Sequence, residues 1–589
     1  MPQQDTLVTD SSLEAFLHCR YKSYLTINCK IGQPSDFERH TSARNDAYRR
    51  LVQSQLSTQH RETDVLHRPA TTFHILQKGK LLILDAKAKA LSLSATIDAL
   101  QRAGGTSLLG DFLYQPIQLC YHKSPIKITT ILLAFKSLVI GELQGQVPTH
   151  GTVIFGSHLN YRKVKLQGLQ KRVRRLITNI QTYTNANTVP PLILNQHCSV
   201  CEYRTFCRNE AVASDNLSLL GGMTEREISS QNRKGIFTVN QLSYTFRYRK
   251  PSKRAKRPAK PHQFSLQALA LRTQKVHIHG TLNLAVADPA IYFDIEGLSN
   301  PRFYYLIGIL LIHQDHINYR SFWADSEREQ ASMFQQFADA VTDIPNIRLF
   351  HFGNYDRAAL KHACRICEPR YAAALDRIVK ASTNVLTLIN SQVYFPTYSN
   401  SLKDIASYLG FKWTDANASG IQSIIWHDQW TLSGDPSYKR KLIEYNQEDC
   451  VALMTICDFI RSKAIAENQP RTLTCEHSNI VFTKELSKPS HIWGRPVFAL
   501  ENLERASTCA YFDYQREHVF VRTSRKIAKA EKANKKKDCS LPVNSLSPYF
   551  LNRFWYRRAT TEPKVALCTY STNVIAVFLC LCKCLFFKP

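Results

Sequence analysis

An apolar, strand-like run near residue 294 carries two acidic residues at alternate positions. It reads Ile291-Tyr-Phe-Asp294-Ile-Glu296-Gly, so both carboxylates project from the same face of one strand. Acidic residues are poor strand formers, and two of them within an apolar run need a compensating partner. Mg²⁺ or Mn²⁺ would supply one, because both ions prefer oxygen ligands. The alternative is an exposed strand edge on which both acids are simply solvated.

The elements around this run follow an order that constrains the fold. Ser326, with Glu329 three residues later, predicts the capped start of an amphipathic helix. Apolar and β-branched stretches, together with one further helical pattern, give strands at 291–296, 304–312, 317–323 and 347–352 and a helix at 357–367. Three consecutive strands followed by alternating helix and strand resemble the order of an RNase H-like α/β domain.

Two more acids and a tyrosine complete a candidate set. Asp356 follows the strand at 347–352, at the sheet edge where open α/β folds place ligands. Tyr445 and Asp449 are four residues apart in a helical stretch and therefore share one face of the helix. The alternatives are that Asp356 is an N-cap and that Asp449 is an ordinary solvated acid.

The ordered set resembles the tyrosine branch of the DEDD exonuclease superfamily. That family has D-x-E on the first strand, a later Asp, and Y-x-x-x-D on a late helix. The resemblance implies a two-metal nuclease in which two Mg²⁺ or Mn²⁺ ions lie about 3.5 to 4 Å apart. It implies metal ligands at Asp294, Glu296, Asp356 and Asp449, a water-orienting role for Tyr445, and substrate contacts at Asn354 and Lys403.

A cysteine cluster lies far upstream of these acids. His197-Cys198-Ser-Val-Cys201 is followed by Cys207, and Cys19 is the distant fourth thiol in a predicted first helix. Four thiolates suit Zn²⁺ or a [4Fe-4S] cluster, and spacing does not choose between them. The pattern resembles the iron-sulfur staple of RecB/AddB-like nucleases and related CRISPR-associated nucleases, which implies [4Fe-4S] with Zn²⁺ as the alternative. The pair Cys364 and Cys367 has no second pair and is interpreted as core.

The same resemblance implies a PD-(D/E)xK nuclease centre in the N-terminal domain. Its equivalent here runs from Asp98 to Gln118-Leu-Cys120, where the family has D-x-K. Neutral Gln is a poor Mg²⁺ ligand and Cys carries no ammonium group, so this centre is expected to be inactive. An alternative placement uses Asp85-Ala-Lys87 but leaves Asp98 out of order.

The chain is strongly basic, which favours a polyanionic partner. Lys and Arg number 76 against 47 Asp and Glu, a formal charge of +29, and nucleic acid is the leading candidate over a merely basic protein. A predicted helix at 166–183 would grip DNA or RNA, in single-stranded form, through Arg172, Arg174 and Arg175. The basic run 246–260 is either a phosphate-contacting or address segment or a solvated tether.

These observations predict a multidomain α/β protein. We expect a RecB-like, restriction-endonuclease-type α/β domain over 1–212, a helical connector and basic linker over 213–285, an RNase H-like domain over 286–465 and a basic region over 466–589. The connector is either helix-hairpin-helix-like or a plain linker. The predicted activity is metal-dependent nuclease activity, 3'–5' exonucleolytic by the resemblance. The alternative is a non-catalytic nucleic-acid-binding or scaffold protein of a repair or mobile-element assembly.

Cysteine usage and the ends of the chain predict its compartment. The 17 Cys are an odd number, and the N-terminus has no apolar core of a secretory signal. We therefore expect a reducing, cytoplasmic location. The apolar run 574–582 is interrupted by Lys583 and is too short for a membrane span, so no membrane association is expected.

Overall fold

A computed structural model describes residues 7–122, 124–185, 188–248, 262–284, 288–299, 302–314, 316–468 and 479–486. Most of the predicted basic run 246–260, nearly all of the predicted region 466–589 and the apolar run 574–582 lie outside these residues. Within the described part of the chain, no helix has both the length and the apolar composition needed to cross a membrane.

A mixed eight-stranded sheet forms the N-terminal part, and its longest strands pair antiparallel. The strands are β1 (Val8–Thr9), β2 (Val65–His67), β3 (Ala70–Thr71), β4 (Leu82–Ala90), β5 (Leu93–Ser107), β6 (Gly110–Cys120), β7 (His150–Phe155) and β8 (Asn160–Lys165). The helices are α1 (Asp10–His18), α2 (Arg20–Ile27), α3 (Asp36–Thr58), α4 (Phe73–Gln77), α5 (Lys127–Gln144) and α6 (Gln167–Asn185). The order is β2-β4-β5-β6-β7-β8, and β1 and β3 pair with β5 and β4.

Helix α5 forms the centre of this domain because it is apolar on nearly every face. Its buried side chains, among them Leu133, Phe135 and Val139, pack against the inner faces of β4 and β5. A helix that is hydrophobic all round is covered on both sides, and here α1 and α6 lie on it from the face opposite the sheet. The N-terminal sheet is thereby fixed against the helices that carry the cysteines and the basic residues.

The prediction that Cys19 lies within a single first helix is wrong. Cys19 has extended backbone angles, φ −162° and ψ 126°, and separates α1 from α2. Its Sγ accepts a hydrogen bond from the backbone N–H of Lys22 at 3.5 Å, so the thiol caps α2. The apolar periodicity of this segment continues across the break because both helices bury one face, which is why the sequence pattern reads as one helix.

Short helices connect the two halves of the chain. They are α7 (Arg204–Ala213), α8 (Glu225–Asn232), α9 (Val239–Ser243) and α10 (Phe264–Thr273), followed by β9 (Val276–Ile278). Thr224 and Glu227 form a capping box at the start of α8, and Thr238 and Gln241 form one at the start of α9. The two short helices predicted on either side of Lys234-Gly235 are therefore present.

The C-terminal domain is a five-stranded mixed sheet followed by helices. The elements are β10 (Ala290–Ser299), β11 (Arg302–His313), β12 (His316–Trp323), α11 (Gln330–Thr342), β13 (Arg348–His351), α12 (Tyr355–Ile366), α13 (Pro369–Ala381), β14 (Ser382–Asn384), α14 (Val385–Gln392), β15 (Val393–Tyr394), α15 (Leu402–Tyr408), α16 (Gly420–Ser433), α17 (Pro436–Asn468) and β16 (Ile480–Phe482). The sheet order is β12-β11-β10-β13-β14. Strands β10, β11 and β12 are antiparallel, whereas β13 and β14 join β10 in parallel.

The predicted element order agrees with this arrangement, with one correction. Ser326 does not cap α11, which begins at Gln330 without a side-chain cap. The Ser326 hydroxyl instead donates to Glu329 at 3.1 Å, and the Glu329 carboxylate also accepts the N–H of Asp325. The serine and glutamate thus close a tight turn before the helix, because the same local hydrogen bonds serve a turn or a cap.

Helix α17 lies across the sheet and approaches it closely at one glycine. Gly308 of β11 is opposite Asp294 of β10 in the antiparallel register. A Cβ atom at position 308 would meet Asn446 Oδ1 of α17 at 1.7 Å, so only glycine allows this approach. The close contact brings the polar face of α17 directly over the acidic face of β10.

The N-terminal and C-terminal domains meet through α3 and α16. Asp428 of α16 is buried and accepts hydrogen bonds from His40 Nε2 at 2.7 Å and from the Arg44 guanidinium. The Arg44 guanidinium also lies over the ring of Tyr121, 4.2 Å from its centroid. A buried carboxylate held by an imidazole and a guanidinium fixes the position of one domain on the other.

Candidate metal centre and its surroundings

Three acids from distant parts of the chain converge on the C-terminal sheet. Asp294 and Glu296 project from β10, and Asp449 projects from α17 where that helix crosses the strand. One carboxylate oxygen from each of the three lies within 4.8 Å of the others. This spacing and the oxygen-only donor set fit a divalent cation such as Mg²⁺ or Mn²⁺.

Asp356 lies beside the three acids. It is the second residue of α12, so it is part of the helix and not its N-cap. Its Oδ1 accepts the backbone N–H of Ile295 at 3.2 Å, which fixes the carboxylate next to the acidic strand. Its Oδ2 lies 3.5 Å from Nδ1 of buried His351. Asp356 is therefore the fourth acid of the centre, at one side of the group formed by Asp294, Glu296 and Asp449.

The electrostatics of the centre favour cation binding. Burial raises the pKa of Asp294 well above its ordinary value, and repulsion from Asp356 and Glu296 raises it further. Burial and then Asp449 raise the pKa of Glu296 to about 8, and burial raises that of Asp449 to about 7. Four acids this close together, three of them buried, cannot all ionise cheaply at neutral pH without added positive charge.

Asn446 supports the centre and is not evident from the sequence. This fully buried amide donates its Nδ2 to Asp294 Oδ2 at 2.9 Å and to the Asp294 carbonyl at 3.2 Å. Its Oδ1 accepts the Tyr319 hydroxyl at 2.9 Å, which fixes the orientation of the amide. One signal was available, since Asn446 directly follows Tyr445, but an amide in a polar helix segment is usually exposed.

Ser423 and Trp413 hold two of the other acids. The Ser423 hydroxyl, on α16, donates to Glu296 Oε2 at 2.8 Å, and Trp413 Nε1 donates to Asp449 Oδ1 at 2.8 Å. Each bond stabilises the ionised carboxylate in one orientation. Neither partner was predicted, because both come from segments that meet the sheet only in the folded domain.

The predicted Tyr445 and Lys403 lie at the same end of the centre. The Tyr445 hydroxyl is a hydrogen-bonding partner of Asp449, and burial with the nearby acids holds its pKa above the ordinary value. Lys403 Nζ lies 6.0 Å from the Tyr445 ring centroid and 5.1 Å from that of Trp413, and it donates to the Ala418 carbonyl. Lys403 therefore brings a cation beside Asp449.

Asn354 and Tyr355 lie beside the acids, at the start of α12. Asn354 is exposed, and its Oδ1 accepts a hydrogen bond from Asn384 Nδ2 at 3.3 Å. Tyr355 was not predicted. Its ring packs edge-on against Tyr304, and burial with nearby Glu296 raises the pKa of its hydroxyl. These two residues form an exposed rim next to the acids.

Comparison with known proteins bears on this part of the chain. Residues 291–461 match a family model described as RNase_H superfamily. These residues form an RNase H-like domain. The matched range contains all four acids and Tyr445. None of the curated proteins matches the chain.

The N-terminal acid has a different environment from the acids of the RNase H-like domain. Buried Asp98 contacts Arg49 Nε at 3.1 Å and Lys136 Nζ at 3.9 Å. It also accepts Gln118 Nε2 at 2.7 Å and the backbone N–H of Leu119 at 2.9 Å. Cationic and amide donors thus surround this carboxylate.

The other residues of the predicted N-terminal centre do not complete a cation site. Cys120 is buried, and burial raises the pKa of its thiol. Asp85 accepts Gln53 Nε2 at 2.7 Å and lies 3.6 Å from Arg68 Nε, whereas Lys87 is exposed. Among the described residues of this domain, no group of three potential ligands has its atoms as close together as those of Asp294, Glu296 and Asp449.

The four predicted cysteine ligands line one small pocket. Cys19, Cys198, Cys201 and Cys207 contribute to its wall together with Lys22 and His197. Backbone N–H groups donate to two of the sulfurs, Lys22 to Cys19 at 3.5 Å and Asn195 to Cys198 at 3.3 Å. Burial and then the neighbouring thiols raise the pKa of Cys207 to about 12. The four thiols thus share one pocket, although no three potential ligand atoms described there lie within 4.8 Å of one another.

Arg172, Arg174 and Arg175 lie on α6 with exposed side chains. Arg174 is 4.0 Å from Glu142, and the basic face of the helix otherwise faces solvent. The position of these residues is compatible with contact to a polyanion, which stays a prediction. Cys364 and Cys367 pack against the core of the RNase H-like domain, at the end of α12.

Proposed function

We propose that the RNase H-like domain is a divalent-metal-dependent nuclease that hydrolyses phosphodiester bonds of DNA or RNA. The observation that carries this proposal is the approach of Asp294, Glu296 and Asp449 within 4.8 Å, with Asp356 beside them. A surface that merely bound phosphates would gain nothing from four convergent negative charges. Such a constellation is explained by bound cations.

The chain's own residues have distinct roles in this proposal. Asp294, Glu296 and Asp449 would hold one ion, and Asp356 with Asp294 would hold a second. Bound Mg²⁺ or Mn²⁺ would supply positive charge to the attacking and leaving oxygens of the phosphodiester. Asn446 and Ser423 keep Asp294 and Glu296 oriented for this task, as partners behind metal ligands commonly do.

Tyr445 and Lys403 would act on the substrate side. The raised pKa of Tyr445 keeps its hydroxyl protonated at neutral pH, so it can hold a water molecule by hydrogen bonding next to Asp449. Lys403 would contact a substrate phosphate, and exposed Asn354 would contact the strand at the start of α12. With Tyr445 and Asp449 four residues apart on α17, we propose 3'–5' exonucleolytic action of the DEDDy type.

A nuclease panel tests this proposal. Labelled single-stranded DNA and RNA, each also in end-blocked and circular form, are incubated with the full chain and Mn²⁺ or Mg²⁺. We expect degradation of linear strands from the 3' end, loss of activity in Asp294→Ala, and retained activity in Cys120→Ala. Absence of degradation on every substrate would leave the non-catalytic binding alternative, and cleavage of circles would replace the exonuclease assignment with an endonuclease.

We further propose that the N-terminal domain is RecB-like, with a degenerate nuclease centre, and that it binds nucleic acid. The contact between Asp98 and Gln118 supports this, because it places the two motif positions side by side on β5 and β6. Arg49 and Lys136 already neutralise Asp98, so a metal ion would gain little there. The assignment would be overturned if the Asp294→Ala variant still cleaved DNA or RNA with Mn²⁺ and a further Asp98→Asn substitution abolished that cleavage.

The cysteine pocket would hold a [4Fe-4S] cluster, with Zn²⁺ as the alternative. The support is that all four thiols line one pocket and that N–H donors point at two of the sulfurs. A cluster there would join the junction of α1 and α2 to the end of the N-terminal domain. We expect an anaerobic preparation to be brown with iron and sulfide, and Cys201→Ser to lose both. Zinc without iron by elemental analysis would establish the alternative.

A further inference from the structure

A groove of about 1110 Å³ lies between the N-terminal domain, the connector and the RNase H-like domain. Its walls come from the junction of α1 and α2, from α7, from the loop before α8, and from Ser399 of the RNase H-like domain. We call it the arginine groove, because Arg20, Arg204 and Arg208 line it with exposed side chains.

The charge of the arginine groove is strongly unbalanced. Among the described residues of its lining, Glu225 is the one acid, and it is already paired with Arg20 at 3.2 Å. Over the described ranges, no acidic side chain forms an ion pair with Arg204 or Arg208. The Arg208 guanidinium lies 5.2 Å from the centroid of the Tyr398 ring. Two guanidinium groups therefore face the groove without a carboxylate partner.

Helix α6 extends the same positive surface. Leu176 of α6 lines the groove, and Arg172 lies one turn earlier on the same face of that helix. The helix predicted to grip nucleic acid is therefore continuous with the groove wall. Half-buried Phe16 and Tyr21 add apolar and aromatic surface to the lining. Cations alternating with aromatic rings are the usual lining of a site for single-stranded nucleic acid.

One wall of the groove leads toward the acids. The loop before α8 is fixed to the RNase H-like domain because Gly221 N donates to the Tyr398 carbonyl at 2.7 Å. A Cβ atom at Gly221 would meet Ser399 Cβ at 2.8 Å, so glycine permits this contact. From Tyr398 the chain needs five residues, at most about 18 Å, to reach Lys403 beside Asp449.

We propose that the arginine groove binds single-stranded DNA or RNA and directs the strand to the carboxylate centre. This inference rests on the proposed nuclease function, since it names the path by which substrate arrives. Arg204 and Arg208 would contact the phosphates, while the apolar lining would accept sugar and base surfaces. In this arrangement the N-terminal half would bind the strand and the RNase H-like domain would hydrolyse it.

Binding measured without hydrolysis tests the inference independently of the activity. The full chain with Asp294→Asn is titrated with fluorescent single strands of about 20 nucleotides, at several salt concentrations, by anisotropy. Adding Arg204→Ala and Arg208→Ala should weaken binding about tenfold. It should also reduce the slope of log K against log salt by about 1.4, because each lost phosphate contact on a single strand removes about 0.7.

Matched controls separate a local effect from a change in net charge. Arg365 and Arg377 are exposed and lie outside the groove lining, so Arg365→Ala with Arg377→Ala removes the same charge and should leave Kd and slope unchanged. Equal Kd and slope for the groove variant and its parent, at unchanged Tm, would overturn the inference. Binding of duplex in preference to single strands would do so as well. A nuclease panel without activity, combined with groove-dependent binding, would overturn only the proposed hydrolysis.

Discussion

Two aspartates on strands, Asp294 and Asp98, show opposite ways of stabilising a carboxylate. Asp98 is surrounded by Arg49, Lys136, an amide and a backbone N–H from its own domain. Asp294 faces three further acids and receives one amide, from Asn446. The first carboxylate is neutralised by the fold, whereas the second lies in a cluster whose raised pKa values show a deficit of positive charge.

The comparison indicates where function lies in a chain with two candidate centres. A buried acid that the protein itself satisfies contributes to structure, and removing it leaves its cations unpaired. A cluster of acids that repel one another costs stability and persists where it serves a bound ion. The two centres should therefore respond in opposite directions to the same substitution.

The largest expected contrast is in stability. Asp98→Ala should lower the free energy of unfolding of the metal-free protein by about 3 to 5 kcal/mol, because buried Lys136 loses its counter-charge. Asp294→Ala should leave it unchanged or raise it, because repulsion within the acidic cluster is relieved. Urea unfolding followed by circular dichroism measures both. A cost below about 1 kcal/mol for Asp98→Ala would remove the contrast.

The second largest expected effect is the stabilisation of the protein by Mn²⁺, which should depend on one centre and not on the other. At about one hundred times its Kd, Mn²⁺ should stabilise the wild-type protein by about 2.7 kcal/mol, since it binds only the folded state. Asp294→Asn should abolish this stabilisation, and the isosteric Asp98→Asn should retain it. Thermal unfolding with and without Mn²⁺ gives the answer. A Mn²⁺ response that Asp98→Asn loses would mean that the N-terminal centre is the one that binds metal.

The metal-free protein should lose stability as pH rises from about 6.5 to 8. In this window folded Glu296 and Asp449, with pKa values of about 8 and 7, bind more protons than the unfolded chain. Stability then falls with pH, by up to about 1.4 kcal/mol per pH unit for each proton. Glu296→Gln should flatten the profile, and saturating Mn²⁺ should remove the fall. A rise in stability over this range, in the absence of metal, would contradict the interpretation.

The smallest expected effect concerns the support of Glu296. Ser423→Ala removes the 2.8 Å hydrogen bond to Glu296 and should weaken Mn²⁺ binding about tenfold, or about 1.4 kcal/mol. Ser433→Ala is the matched control, because this exposed serine at the other end of α16 bonds only to nearby backbone, donating to the Gln429 carbonyl and accepting the Asp435 N–H. Isothermal titration with Mn²⁺ compares the two. Equal affinities would mean that Ser423 does not position the ligand.

The sequence predicted the RNase H-like order of strands and helices because each of these elements has its own local hydrophobic pattern. Strands β10 to β13 alternate or are continuously apolar, and Asp294 and Glu296 interrupt that pattern on one face. These acids meet Asp449 because α17, which carries Asp449, crosses the sheet at β10. The alternative for Asp356, an N-cap, failed because Asn354 occupies that position and the Asp356 carboxylate accepts the Ile295 N–H.

Other features depend on tertiary contacts and leave no local pattern. Asn446 is buried only because Gly308 lets α17 approach the sheet, and Ser423 meets Glu296 only when α16 packs against β10. The helix break at Cys19 is invisible in the periodicity, because both flanking helices bury the same kind of face. Lys136 lies in the mainly apolar helix α5, yet its ammonium reaches Asp98 at 3.9 Å.

Because α3 contacts Asp428, helix α16 packs against both the N-terminal domain and the RNase H-like sheet. The same helix carries Ser423, which orients Glu296, and Asp428, which His40 and Arg44 hold from the N-terminal side. An RNase H-like fragment prepared alone would expose Asp428 without its partners and free the helix that steadies a metal ligand. Excising that domain would therefore change the carboxylate centre, even though every acid would still be present.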